Sequence, residues 1–253
     1  MPDPATTLPD RRTELATRLA RVRTRIADAC AAAGRDRAAV TLVAVTKTYP
    51  ASDVLHLASL GVRDIGENRD QEAAPKAAAV AAAGAEVRWH FVGQLQRNKA
   101  RSVVGYATLV HSVDGVRLAA ALGRAADRYR DQPLDVLVQV SLDGDPARGG
   151  AVPGGLVPLH DTEPDRQLDA VAEAVAGAPA LRLRGVMAIA PLDWAPERAF
   201  ERLAAVAATL RERYPAADLI SAGMSEDLEQ AVAFGATHVR IGSALLGNRP
   251  ALR

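Results

Sequence analysis

Two periods of apolar residues alternate along the chain. Over residues 10–35, DRRTELATRLARVRTRIADACAAAGR, the positions Leu15, Leu19, Val22 and Ile26 recur at helical spacing, and Gly34 closes the stripe. From residue 40 the pattern shortens. Apolar, β-branched runs predict strands at 40–47, 62–68, 87–93, 107–114, 134–141, 183–189, 218–224 and 237–243. Ala- and Arg-rich segments of helical period separate them, near 51–60, 70–83, 94–101, 115–130, 165–177, 196–213 and 225–234. Strict alternation implies parallel strands joined by helical crossovers. Eight repeats in 253 residues predict one α/β domain over 1–253, a (β/α)8 TIM-type barrel with an extra N-terminal helix. An open doubly wound sheet is the alternative. The long first helix is then an addition to the barrel or a lid on its bottom. Two stretches follow neither period. Residues 1–10 read as a loose end, and 143–165 as a mobile Gly- and Pro-rich loop on the active face.

Composition narrows the class. Hydrophobic residues at 49% support a large core, and 24% charged residues argue against disorder. A net charge of +1 gives no overall attraction for nucleic acid or membrane. No apolar run approaches the roughly 20 residues of a membrane span, and the start, MPDPATTLPDRR, lacks the apolar centre of a signal peptide. Cys30 is the only cysteine, which excludes an intrachain disulfide and a cysteine metal cluster. The five histidines show no pair at ligand spacing, so no metal is expected. The expectation is a cytoplasmic monomer with no nucleic-acid or membrane partner.

The basic residues carry the first chemical signal. Of 31 Lys and Arg, only Lys47, Lys76 and Lys99 are lysines. Arginine serves as well on a solvated face, but a guanidinium stays protonated and forms no Schiff base. Lys47 ends the run TLVAVTK, at the carboxyl end of the first strand, where barrel enzymes place their chemistry. The other strand ends offer Glu67 and Asn68, His90 and Gly93, His111 and Asp114, Ser141 and Asp143, Met187 and Ile189, Ser221 and Met224, and Arg240 with Gly242 and Ser243. Two small-residue clusters, SAGMSED at 221–227 and RIGSALLG at 240–247, follow strands seven and eight, where barrels commonly bind phosphate. Ser225 with Glu226 and Asp227 reads as an N-cap followed by first-turn acids. Each cluster alone is consistent with a tight turn. Opposite a strand-end lysine, both favour a phosphate ligand with a reactive carbonyl, and pyridoxal 5′-phosphate meets that description. Arg240 would face its ring nitrogen, or serve as a phosphate contact or structural ion pair.

The motifs VAVTKTYP, IGENRDQE, WHFVGQLQRNKAR, HSVDG, LRGVMAI and SAGMSEDLEQAVAFGATHVRIGSALLG resemble the pyridoxal-phosphate homeostasis proteins, in register from about residue 40 to 249. That family resembles the N-terminal barrel domain of alanine racemase standing alone. The resemblance implies that Lys47 is the Schiff-base lysine, that Asn68 lies beside it and that Arg240 faces the pyridine nitrogen. It also implies a phosphate cradle of Ser221, Gly223, Met224, Gly242 and Ser243. The family is regarded as one of cofactor binding and delivery, with apo-enzymes as recipients. The chain departs from it at Arg69 and Asp70, where an aromatic often follows GEN, and at PARGG in the long loop. Both departures touch the rim.

The remaining candidates read more plainly. His90 suits a hydrogen bond in the barrel interior. Arg97, Lys99 and Arg101 suit a solvated face or a second anion site, Lys76 a solvated helix, and Cys30 a core thiol. Trp89 packs, and Trp194 packs or covers the cofactor. The expected function is therefore cofactor homeostasis (storage, buffering or delivery) without substantial turnover. The alternatives are a pyridoxal-phosphate amino-acid racemase and a cofactor-free Schiff-base lyase. Racemisation needs proton transfer on both faces of the α-carbon. In alanine racemase a tyrosine from a second domain supplies one face. Here Tyr49 is the only tyrosine near the site in sequence, and it shares a loop with Lys47.

Overall fold

A computed structural model describes residues 10–145, 149–155 and 162–247. Strands β1 (Thr41–Val45), β2 (Asp64–Glu67), β3 (Arg88–Phe91), β4 (Ala107–Val113), β5 (Leu134–Gln139), β6 (Leu181–Met187), β7 (Leu219–Ser221) and β8 (His238–Ile241) alternate with helices along the chain. All neighbouring strands pair in parallel, and β1 also pairs with β8, Thr41 opposite His238 and Val43 opposite Arg240. The sheet is therefore a closed (β/α)8 barrel, and the open alternative falls at the β1–β8 seam.

Helix α1 (Arg11–Ala32) is capped by Asp10, whose side chain accepts from Thr13 N at 2.9 Å. The later helices are α2 (Ala51–Ser59), α3 (Asp70–Ala82), α4 (Ala100–Val104), α5 (Val116–Tyr129), α6 (Leu168–Ala176), α7 (Pro196–Arg213), α8 (Leu228–Ala233) and α9 (Ser243–Leu246). The helix expected at 94–101 is displaced, because residues 97–99 form a 3-10 turn and α4 starts only at Ala100. The four residues of α9 cannot cover the flank of the barrel after β8. Helix α1 does so instead, packing Leu15, Leu19, Val22 and Ile26 inward between α8, α9 and α2. Each such buried side chain contributes roughly 1.5–3 kcal/mol. The first helix is thus the missing member of the ring and not a lid on the bottom.

The barrel interior is divided by chemistry. Side chains two apart on a strand share a face, so Leu109 accompanies His111, Leu219 accompanies Ser221, and His238 accompanies Arg240. Leu109, Leu137 and Met187, with Leu219 against them, form an apolar cluster separate from the main core between strands and helices. His90, His111, Ser221 and Arg240 are buried as well, and they make the polar half. Among the described residues, no helix is long and apolar enough to cross a membrane.

The segment 143–165 is tied down where it is described. Ala151 is buried, donates to Gln139 O and accepts from Ser141 N, which extends β5 by one bridge. Residues 146–148 and 156–161 of that loop, and 1–9 of the expected loose end, lie outside the described residues.

Candidate functional site

The cofactor-lysine candidate sits in a tight turn. After β1 the chain runs through Thr46, Lys47 and Thr48, and Tyr49 N closes the turn on Thr46 O at 3.1 Å. Thr48 has φ 70°, alone among the described non-glycine residues in being positive. A turn of this kind ordinarily takes glycine at its third position, and a β-branched residue there is strained. Neighbouring elements hold it. Thr46 Oγ1 donates to Glu67 Oε1 at 2.6 Å, and Glu72 accepts from Thr48 N at 3.1 Å. Lys76 Nζ donates to Thr46 O at 2.9 Å and to Glu67 Oε1 at 2.5 Å. Lys76 is therefore no solvated helix residue, as the Ala-rich pattern had suggested. It is buried and aimed inward. Burial pushes the Glu67 carboxyl up, against the hydrogen bonds from Lys76 and Thr46.

Across the barrel mouth, Arg240 on β8 is buried and donates to Ala188 O at 2.8 Å and to Ser221 Oγ at 2.7 Å. The chain of bonds continues downward. Ser221 Oγ lies 2.8 Å from His111 Nδ1, His111 Nε2 lies 2.9 Å from His90 Nδ1, and His90 Nε2 lies 2.9 Å from Asp64 Oδ1. The guanidinium can only donate and the ionised Asp64 carboxylate can only accept, so with one hydrogen on each ring the chain of bonds has one direction. Ser221 donates a hydrogen bond to His111 Nδ1, His111 Nε2–H donates to His90 Nδ1, and His90 Nε2–H donates to Asp64. Burial, then His90 and Arg240, hold His111 well below the usual imidazole value, consistent with this neutral form. Burial raises Asp64, but bonds from His90 and Arg88 outweigh it and bring the carboxyl to about 2. Burial lowers Arg240 to about 10, which still leaves it charged at neutral pH. His90 thus serves as the interior hydrogen-bonding residue expected.

The small-residue loops meet beside Arg240. Ser243 Oγ donates to Ser225 Oγ at 3.1 Å, and Ala244 N reaches the same oxygen at 3.3 Å. The helix cap differs from expectation. Asp227 precedes α8 and accepts from Met224 N at 2.6 Å, while Ser225 lies in the turn before it and faces the cavity. Gly223, at φ +87°, lets this loop lie on α8; a Cβ there would come within 2.6 Å of Ala231 Cβ.

One cavity of about 970 Å³ gathers these groups at the carboxyl ends of the strands. Lys47, Asn68, Met224, Arg240, Gly242 and Ser243 all line it. Asn68 comes close because position 93 is glycine, where a Cβ would overlap the Asn68 carbonyl. Ser221 and Gly223, expected in the cradle, stand one layer behind the wall. The Ser221 hydroxyl is engaged by Arg240 and His111, and Gly223 packs on α8. Trp194 lines the mouth with Arg198 stacked 3.8 Å from its ring centre. Asp114 and Gln94 border both this cavity and a neighbouring cleft that Arg97 and Arg117 line, and burial pushes the Asp114 carboxyl up. Among the described residues, no group of His, Cys, Asp or Glu could hold a metal ion. Trp89 and Cys30 are buried in the core.

The sequence reading missed the Thr46–Glu67–Lys76 cluster and the relay below Arg240. A signal for the first existed in the spacing of Glu72 and Lys76, four apart on one helix face. None existed for the second, which joins four strands.

Comparison with known proteins places the chain among relatives. The model of the alanine racemase N-terminal domain family matches residues 18–250. The pyridoxal phosphate homeostasis protein of Mycobacterium tuberculosis is 44% identical over 254 residues, 95% of either chain. That of Escherichia coli is 38% identical over 242 residues, covering 93% of this chain and 97% of its own. Among solved structures, PipY of Synechococcus elongatus with PLP bound superposes with a TM-score of 0.73 at 31% identity, over 92% of this chain and 100% of PipY. Alanine racemase of Corynebacterium glutamicum shares the fold, with a TM-score of 0.67 at 17% identity over 96% of this chain and 63% of its own.

Proposed function

The chain belongs to the pyridoxal phosphate homeostasis proteins of the alanine racemase N-terminal domain family, and from that premise we propose that it binds pyridoxal 5′-phosphate covalently through Lys47 and stores, buffers or delivers it. The observation that carries this reading is the gathering of Lys47, Arg240 and Ser243 around one cavity. The donor set fits the group: an amine for an aldehyde, a guanidinium for a ring nitrogen, and a hydroxyl pair for a phosphate. Once bound, the cofactor would supply an aldehyde to which a lysine amine can add.

Each residue then has a role. Lys47 provides the amine. Arg240 would donate to the ring nitrogen, and a guanidinium that keeps its own proton would leave that nitrogen unprotonated and the ring a weak electron sink. The relay through Ser221 holds that guanidinium in place. Ser225, Ser243, Gly242 and Met224 form the phosphate end, with Asn68 beside the amine.

The position of the one lining tyrosine supports a reading of holding without turnover. Racemisation needs a second proton-transfer group opposite Lys47. Tyr49 is the one tyrosine among the described lining residues, and its hydroxyl donates to Gly247 O at 2.9 Å. It leaves the same turn as Lys47, so it is poorly placed for the opposite face.

Titration with pyridoxal 5′-phosphate, followed by visible absorbance, tests the reading. The native protein should turn yellow, and borohydride should fix the label on Lys47. Lys47→Ala should stay folded and colourless. A native protein that remains colourless would favour the lyase alternative, and a label found chiefly on Lys99 would move the site.

A further inference from the structure

We propose that Lys76, acting with Glu67 and Glu72, is a positioning residue for Lys47: it clamps the strained turn that aims the cofactor lysine into the cavity. The proposal rests on the reading that Lys47 carries the cofactor.

Three contacts from one side converge on the two residues that flank Lys47. Lys76 donates to the carbonyl of Thr46, Glu67 accepts from the hydroxyl of Thr46, and Glu72 accepts from the backbone N–H of Thr48. Lys47 lies between the clamped residues. Glu72 and Lys76 belong to α3, which begins directly after β2 and Asn68, so one short segment supplies the clamp and a wall of the cavity.

The pair is poorly arranged for stability alone. The Lys76 and Glu67 side chains are 7% and 1% exposed, so both charges are taken out of water. A buried pair of this kind often gives no net stability over an apolar replacement. Moreover Glu67 takes both of its bonds on Oε1, while Oε2 is buried without a partner. What the pair does accomplish is to hold Thr46 by carbonyl and hydroxyl together. Beside it, Thr48 keeps a left-handed backbone conformation that is strained for a β-branched residue and persists only when its surroundings impose it. With the clamp released, the turn can relax, and the Lys47 amine loses its fixed approach to the aldehyde.

Two ligands separate positioning from general damage. Pyridoxal 5′-phosphate needs the Lys47 amine, whereas pyridoxamine 5′-phosphate carries the same ring and phosphate and cannot form a Schiff base with it. In Lys76→Met, affinity for the aldehyde should fall at least tenfold, and affinity for the amine form should stay within threefold. Glu72→Ala, at the outer end of the clamp, should shift the same ratio by about threefold and covers the case in which Lys76→Met fails to fold. Equal weakening of both ligands, or no change in the ratio in either variant, overturns the proposal. A cofactor-free readout keeps the two readings distinguishable. Acetic anhydride should label Lys47 at least threefold faster in the variants, measured against Lys99 as internal reference. An unchanged labelling rate refutes the clamp. Failure of the native protein to bind either vitamer refutes the cofactor reading, while the labelling still decides the clamp.

Discussion

Ser243 shows how a single side chain can report on the site. It is exposed at the cavity wall and bonded to Ser225, so Ser243→Asp costs little folding stability. A carboxylate there would sit where the phosphate is proposed to bind, and like charges at that range repel strongly. Affinity for pyridoxal 5′-phosphate should fall at least tenfold, roughly 1.4 kcal/mol, while pyridoxal without phosphate should bind weakly and equally to both proteins. Equal native affinity for the two vitamers would remove the phosphate end. In the sequence Lys47 stands out by scarcity and strand-end position and Arg240 by strand-end position, and both line the cavity. Lys76 does not stand out. An alanine-rich helix with one lysine looks the same whether that lysine faces water or a buried carboxylate. Ser221 was expected in the phosphate cradle, whereas its engagement with Arg240 and His111 depends on the pairing of distant strands.

Among the elements, α1 ties the fold to the site. Leu19, 2% exposed, packs it onto the barrel. Arg25 reaches Glu229 at 2.8 Å and Ser225 O at 2.9 Å, and Arg11 reaches Leu246 O at 3.1 Å. The helix therefore braces both proposed phosphate loops from outside. Leu19→Ala should destabilise the protein by about 2–5 kcal/mol, whereas Arg25→Ala, which breaks a half-exposed pair, should cost about 1 kcal/mol or less. Urea unfolding measures both, and a neutral Leu19→Ala would detach α1 from the core. The helical stripe of α1 was plain in the sequence. Its place in the ring was not, because nothing in the stripe announces that α9 is only four residues long. The strands were found by their apolar runs, but seven were drawn too long, because polar and small loop residues such as Lys47, Asn68 and Ser243 were counted with them, and the sixth was drawn two residues late.

At the scale of the whole molecule, eight alternations implied closure, and the β1–β8 seam supplies it. Apart from His90, the polar half of the interior was hidden in the sequence because parallel strands buried on both faces lack a clean alternation. It carries a consequence for acid stability. Burial, then His90, holds His238 at about 4, below the ordinary 6.5. Between those values the unfolded chain binds a proton that the folded one refuses. Stability from this site is therefore complete above about pH 6.5 and lost as pH falls toward 4. Native protein should lose about 2–3 kcal/mol by this route between neutral pH and about pH 4.5. His238→Asn should flatten that limb in urea unfolding, and an unchanged slope would contradict the assignment. The central claim is that this barrel keeps its cofactor instead of using it. α-Proton exchange in D₂O with chiral analysis, run on alanine, serine, glutamate and lysine with the cofactor-loaded protein, tests it most directly. Exchange and racemisation should stay far below the ordinary enzyme range. Turnover of any of the four at about 1 s⁻¹ or faster, abolished in Lys47→Ala, would make the protein an enzyme and contradict the account.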